Sequence, residues 1–565
     1  MSSYFLKRIL YVIPITLAVS FFCFSLVHLS PGDPMDAVVS PDAPSEVVAM
    51  VQRAYGFDRP LPEQFGLWVS RAVQGDLGMS AANGRAVTTE VFSALKNTLL
   101  LAVAASMIGF SLGCMFGALA GYYQGSLLDR IVTGFAVGGV SVPHYWLGML
   151  LVIIFSVELN WLPSSGAGPG SSSDWNFEWA YLRHLILPAV TLSVIPMGVV
   201  TRTVRAMVAD ILAHEFVEAL RAKGLAERRI FLHVIKNVAP TALAVMGLQL
   251  GYLLGGSILV ETVFSWPGTG LLLNNAIFQR DLPILQGTIL ILALFFVALN
   301  LMVDLVQARL DPRIQRATSL DVSAKVDVPI TPSRGYWGPV FRRLSRDPVA
   351  VIAGLILLCI LAMALFAPWL APMDPYKTSM MTRLRPIGTP GHWLGTDELG
   401  RDMLSRLIYG ARLSLLIGVM PVVNAFIIGS AIGIVAGFVG GKTNTVFMRI
   451  IDVFYAFPAV LLAIALAGAL GAGIINSLFS LTVVFIPPIA RVAESVTTQI
   501  RSADYIEAAR ASGAGSLKII RCHVLGNVLS PIFVYATSLI SVSMILASGL
   551  SFLGLGARPP MPEWG

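Results

Sequence analysis

The chain has 565 residues, of which 56% are hydrophobic and only 13% charged, and its mean hydropathy is +0.76. A soluble domain carries about 25% charged residues, and a larger core cannot absorb the shortfall, because a folded protein still has to cover itself with polar groups. This excludes a soluble enzyme, a disordered tail and a secreted disulfide scaffold, and the net charge of +7 fits basic cytoplasmic loops better than nucleic-acid binding.

Apolar runs long enough to cross a hydrocarbon layer roughly 30 Å thick recur along the chain. Spans are expected near 9–29, 98–121, 131–157, 185–200, 240–260 and 286–306, and then near 349–371, 413–438, 446–468, 474–490 and 528–550. The first follows Lys7-Arg8; it is too long for a signal peptide and lacks a small-residue cleavage pattern before Ser30, so it reads as an uncleaved span. The fourth is expected to be short and broken by Pro188 and Pro196. Loops 201–239 and 307–348 are rich in Lys and Arg, whereas 30–97 holds five basic and eight acidic residues. The positive-inside rule therefore puts the N-terminus in the cytoplasm.

Segment 311–348 contains Pro312, Pro329, Pro332 and Pro339 with many charges and no long apolar run, and reads as a cytoplasmic linker. It divides the chain into a first unit, 1–310, with an external segment at 30–97, and a second unit, 349–565. A six-span first unit ends inside, so the two units should be parallel repeats related by an axis along the membrane normal.

A direct comparison of the halves supports the repeat. Arg202 precedes Glu218 by sixteen residues, as Arg491 precedes Glu507. Around those glutamates Glu-Phe-Val-Glu-Ala-Leu-Arg-Ala-Lys-Gly (215–224) matches Asp-Tyr-Ile-Glu-Ala-Ala-Arg-Ala-Ser-Gly (504–513) without gaps. Each copy predicts a short helix stopped by glycine, with Ser502 or Asp504 as the N-cap in the second. Two rigid helices on one membrane face suit a two-fold partner; the bland alternative is an amphipathic helix lying on lipid. The spacing from Gly224 to His233 and Asn237 is one residue tighter than from Gly513 to His523 and Asn527, so the helix after the loop is expected in a different register. A block ending Gly268-Thr269-Gly270 is expected to recur as Gly554-Leu555-Gly556.

Glu218-Ala219-Leu220 with Gly224, and Glu507-Ala508-Ala509 with Gly513, resemble the EAA loop of binding-protein-dependent ABC importer permeases. The first half further resembles one permease subunit of dipeptide/oligopeptide importers through Pro31-Gly32-Asp33-Pro34, Gly56-Phe57-Asp58-Arg59-Pro60-Leu61, Gly75-Asp76-Leu77-Gly78, Ser141-Val142-Pro143 with Trp146, Trp161-Leu162-Pro163 and Glu261-Thr262-Val263-Phe264 with Trp266-Pro267-Gly268. The second half resembles the partner subunit through Leu394-Gly395-Thr396-Asp397-Glu398-Leu399-Gly400-Arg401-Asp402, Tyr409-Gly410-Ala411-Arg412 and Leu550-Ser551-Phe552-Leu553-Gly554-Leu555-Gly556.

The resemblance implies an all-α polytopic fold of two parallel six-span type I permease units fused in one chain. The family continues beyond the Pro559–Gly565 motif with a last span, so the second unit is expected to be either truncated here or short of that element. It implies a bacterial inner-membrane protein set in a lipid bilayer, without nucleic acid. Two ABC ATPase subunits would dock from the cytoplasm on Glu218, Ala219, Leu220, Arg221 and Gly224 and on Glu507, Ala508, Ala509, Arg510 and Gly513. A periplasmic substrate-binding protein would dock outside against 30–97, 158–184, 261–285 and 372–412. This chain would hold no cofactor, ATP and Mg belonging to the partners; the solute class is short peptides, nickel, opines or glutathione.

Other candidate sites are weaker. Ala436 to Thr443 meets a relaxed P-loop pattern but joins two spans instead of a strand and a helix. The histidines, among them His28, His144 and His184, have no metal spacing, and Cys23, Cys114, Cys359 and Cys522 form no metal or disulfide framework. Glu158, Glu261 and Asp304 are expected near water at span ends, leaving no mid-membrane carboxylate cluster of the kind coupled carriers use. An ion-coupled secondary transporter with parallel repeats is the alternative; a non-transporting scaffold is a second.

Overall fold

The computed structural model describes residues 13–25, 58–172, 175–310 and 344–564, with scattered positions between 44 and 52. Most of the expected linker, the motif at 31–34 and the ends of the first span lie outside the described residues. The first unit contains α1 (Ile13–Ser25), α2 (Leu61–Val73), α3 (Val87–Tyr122), α4 (Leu127–Ser141), α5 (His144–Glu158), α6 (Trp179–Leu212), α7 (Glu215–Ala222), α8 (Glu227–Val263), α9 (Thr269–Gln279) and α10 (Leu282–Leu310). The second contains α11 (Pro348–Leu365), α12 (Met403–Val439), α13 (Gly441–Tyr455), α14 (Ala459–Leu470), α15 (Ile474–Arg501), α16 (Asp504–Ala511) and α17 (Ser516–Phe552). Among the described residues there is no strand, only isolated bridges. Eight of these helices are long and apolar enough to cross a membrane, and two bent pairs raise the number to ten.

The bent pairs correct two expectations. The expected spans 131–157 and 446–468 are α4–α5, turned by 101°, and α13–α14, turned by 85°. Both break before a proline, Pro143 and Pro458, which lacks an N–H and pushes the preceding residue out of helical geometry; Val142 is extended (φ −88°, ψ 127°). The opposite error concerns Pro188 and Pro196, which lie inside one continuous helix of 34 residues. Packing along α3 holds that helix where proline alone would break it.

That packing recurs in both units. Gly109, Gly113, Gly117 and Gly121 bring α3 onto the backbone of α6, and a methyl group on Gly117 would lie 2.7 Å from the Thr201 carbonyl oxygen. Gly429, Gly433 and Gly437 bring α12 onto α15 in the same way. Small residues every fourth position allow this approach where lipid supplies no hydrophobic drive between helices. The apolar core runs across the units, with Ile258, Leu259, Leu285 and Ile289 joined to Leu461, Leu462 and Ile464. Gly255 abuts Pro458, and Leu259 abuts Gly549. Leu259 and Gly549 are equivalent at an offset of 290 residues, so their contact marks the pseudo-two-fold axis.

The two glycine blocks after α8 and α17 are not equivalent, contrary to expectation. Gly268 is the N-cap of α9, whereas Gly554 ends α17 with φ +73°. Counted from the helix end, where Phe264 and Leu553 are the C-caps, the residue in the place of Gly554 is Ser265, held at φ +46°. Glu261 is likewise not near water but fully buried. Its carboxylate accepts hydrogen bonds from Thr98 Oγ1 (2.8 Å) and from the amides of Gly270 (2.6 Å) and Leu271 (3.4 Å), at the amino end of α9.

Candidate functional site, a pair of short exposed helices

α7 and α16 have eight residues each and form from the same local chemistry. Glu215 and Glu218, or Asp504 and Glu507, sit in the first turn, and Arg221 or Arg510 in the last, each complementing the helix dipole. Neither N-cap works through a side chain: His214 and Ala503 hold those positions. Asp504 is instead the first helical residue, and Ser502 Oγ donates backwards to Gln499 O (3.2 Å). Both helices stop as expected. Gly224 (φ +76°) and Gly513 (φ +80°) take the left-handed conformation glycine favours. Leu225 N then donates to Leu220 O (3.2 Å), and Ala514 N to Ala509 O (3.0 Å), closing the carbonyl end.

One side chain anchors each helix. Val217 and Ile506 are fully buried, against Ile230 and Val234 in the first unit and Ile519 and Val524 in the second. Glu218, Ala219 and Gly224, and Glu507, Ala508 and Gly513, are exposed, while Leu220 and Ala509 are half-buried. Phe216 and Tyr505 are partly exposed at equivalent positions, 39% and 44%. The helices thus present acid, small residue and aromatic outward from a single apolar peg.

The two arginines behave differently from free surface charges. Arg221 Nε donates to Glu227 Oε1 at 2.9 Å and Nη2 to Glu227 Oε2 at 3.4 Å, tying α7 to the start of α8. Those hydrogen bonds push the Arg221 guanidinium further up, so it stays charged at any working pH. Arg510 lies 5.3 Å from the centre of the Phe438 ring, at the end of α12. Both brace the short helix onto its unit; for Arg510 the sequence did not reveal this because Phe438 is distant in the chain.

The short helices lie on one side of the molecule. α8 begins just after α7 and α17 just after α16, and their far ends meet at Leu259 and Gly549. Two spans that cross one bilayer and meet at their C-terminal ends have their N-terminal ends on the same face. Among the described residues no group of three or more His, Cys, Asp or Glu is arranged to hold a metal ion. α7 leads directly into α8 and α16 into α17, and α8 and α17 touch at Leu259 and Gly549.

Comparison with known proteins identifies the family. The family described as binding-protein-dependent transport system inner membrane component matches residues 113–316 and again 429–565. Residues 1–101 match the N-terminal region of such membrane components, and 335–386 match the N-terminal transmembrane domain of oligopeptide transport permease C. Relatives include the glutathione transport system permease protein GsiC of Escherichia coli strain K12 and of Shigella dysenteriae serotype 1. Each is 39% identical over 316 residues, which is 56% of this chain and 99% of the relative. The chain therefore belongs to the binding-protein-dependent transport system inner membrane component family, as a multi-pass inner-membrane permease of a peptide-type ABC importer that carries two permease units in one polypeptide.

Proposed function

We propose that this permease moves a short peptide or a peptide-like solute such as glutathione, delivered from outside by a soluble binding protein. Two ATPase subunits dock on α7 and α16 from the cytoplasm, one per unit, and carry the ATP and Mg; this chain holds no cofactor of its own. The N-terminus is cytoplasmic, in keeping with the basic loops. ATP binding favours one separation of the two short helices and hydrolysis another; α8 and α17 tilt about their contact and alternate access to a path between the units. The observation that carries this reading is the matched pair of exposed helices on one face, each held by a single buried residue.

The test is the double variant Gly224→Glu with Gly513→Glu. A side chain at either glycine meets nothing within 4 Å, so it projects outward. The folding cost is limited to backbone strain of about 1 kcal/mol at each site. We expect the permease to purify folded while its ATPases no longer co-purify and binding-protein-stimulated ATP hydrolysis drops to background. Unchanged co-purification and stimulation would show that the ATPases dock elsewhere.

A further inference from the structure

A cavity of about 270 Å³ lies between the units, walled by Tyr252 and Gly255 of α8, Phe454 and Tyr455 of α13, and Pro458 and Ala459 where α14 begins. Pro487 and Pro488 of α15 also line it. Along α8 the wall runs from Leu248 to Gly256, eleven to three residues before Leu259, so the cavity lies about 5–16 Å to the loop side of the axial contact. Leu248 and Tyr455 are 62% and 42% exposed, and Ala459 is exposed too, so the cavity is open. It is smaller than the roughly 300–1,000 Å³ of pockets that enclose whole small molecules. It can seat a side chain, not a solute.

The pseudo-two-fold relates this face of α8 to a face of α17. At the 290-residue offset Leu248 corresponds to Ser538 and Gly251 to Ser541, both exposed on α17. Ser538 Oγ donates to Tyr535 O (2.6 Å) and Ser541 Oγ to Ser538 O (3.0 Å), which leaves the hydroxyl lone pairs free to accept. The cavity is therefore aromatic and apolar, whereas the counterpart of its α8 face on α17 carries hydroxyls.

The matching place in the first unit is built differently. Tyr145 follows Pro143 as Val460 follows Pro458, and Tyr145 fills its own side: the hydroxyl bonds Ser548 and the ring stacks on Phe552 with centroids 5.3 Å apart. Val460 is too small to do the same.

We propose that this cavity seats one apolar or aromatic side chain of a peptide in transit. The proposal rests on the peptide-importer reading above. Its test uses the complete transporter, permease with cognate ATPases and binding protein, in proteoliposomes, measuring ATP-driven uptake of radiolabelled Ala-Ala-Ala, Ala-Phe-Ala and Ala-Trp-Ala. Ala459→Trp fills the cavity from an exposed position and is expected to lower Ala-Phe-Ala uptake at least about tenfold relative to Ala-Ala-Ala. Tyr455→Ala enlarges the cavity without adding bulk and should raise Ala-Trp-Ala relative to Ala-Ala-Ala, which keeps the proposal testable if the tryptophan variant does not fold. Because each ratio is taken against the wild type, selection by the binding protein cancels. If Ala459→Trp lowers all peptides alike and Tyr455→Ala leaves the ratios unchanged, the seat is overturned while the importer reading stands. If the wild-type complex takes up no peptide, the peptide reading falls and the seat with it.

Discussion

From Gly224 to Asn237 the first unit uses thirteen residues, and from Gly513 to Asn527 the second uses fourteen, yet both stretches end in the same register. Ile230 and Ile519 are buried at an offset of 289 residues, whereas Val234 and Val524, then Val238 and Val528, are buried at 290. The additional residue is absorbed in one wide turn, Ile520–Val524, whose hydrogen bonds reach one residue further than in an α-helix. Beyond it the two chains match in detail: Asn237 Nδ2 donates to His233 O at 2.8 Å, and Asn527 Nδ2 to His523 O at 2.7 Å. The expected change of register does not occur. An extra residue in a regular helix would turn everything after it by about 100° and expose the valines that hold α17 down. Packing selects a helix face, not a chain length.

The glycine seams offer the most severe way to break the likeness between the units. A methyl group on Gly433 would lie 2.3 Å from the Ala490 carbonyl oxygen and 2.6 Å from Ala493 Cβ. On Gly117 the corresponding distances are 2.7 Å to Thr201 O and 2.8 Å to Val204 Cβ. Backbone cannot step aside as a side-chain tip can. We expect Gly433→Ala to cost about 3 kcal/mol or more and Gly117→Ala about 1–3 kcal/mol, read as loss of thermal midpoint in detergent. Equal losses would mean that the second seam is no tighter than the first.

A smaller contrast lies where α4 and α13 begin. Arg205 Nε and Nη2 donate to the two oxygens of Asp129 at 2.5 and 2.8 Å, and the Asp129 side chain is 4% exposed. At the 289-residue offset Arg205 becomes Glu494, and its partner is the amide of Asn444, donating at 2.6 Å. The same join is made by an ion pair in one unit and by a charged acceptor with a neutral donor in the other. Asp129→Ala leaves a partly buried guanidinium unpaired and should cost about 2–3 kcal/mol after allowance for the 29% exposure of Arg205. Asn444→Ala should cost about 1 kcal/mol. Transplanting the second unit's chemistry, Asp129→Asn with Arg205→Glu, should recover most of the first loss. No recovery would show that the two joins differ in geometry as well as in charge.

What the sequence disclosed and what it withheld divide along the same physical line. Spans, the internal repeat and the glycine stops of α7 and α16 are local: apolar length, matched spacing and a positive φ each leave a mark in a short window. The bends at Pro143 and Pro458 were hidden because hydropathy averages across two residues that end a helix without interrupting the apolar run. Pro188 and Pro196 misled in the other direction, since the support that keeps α6 whole comes from α3. Glu261 was taken for a wetted span end because its donors, Thr98 above all, are remote in the chain. The role of Arg510, and the cavity between the units, likewise depend on partners brought close only by folding.

The mildest intervention bears directly on the wide turn. Deleting Cys522, which is exposed, removes the surplus residue and leaves a turn of the length used in the first unit. Ile519 and Val524 would then be related as Ile230 and Val234 are, four residues apart, with both faces still buried against α16. We expect the thermal midpoint in detergent to move by the equivalent of no more than about 1 kcal/mol, a surface-scale effect. Deleting Ala536 supplies the contrast. It lies in the straight part of α17, where nothing absorbs the change, and its loss would rotate the axial contact at Gly549 by about 100°. That variant should not yield folded protein. Similar outcomes for the two deletions would mean that the wide turn is not what restores the phase, and that α17 is held by its distal contacts alone.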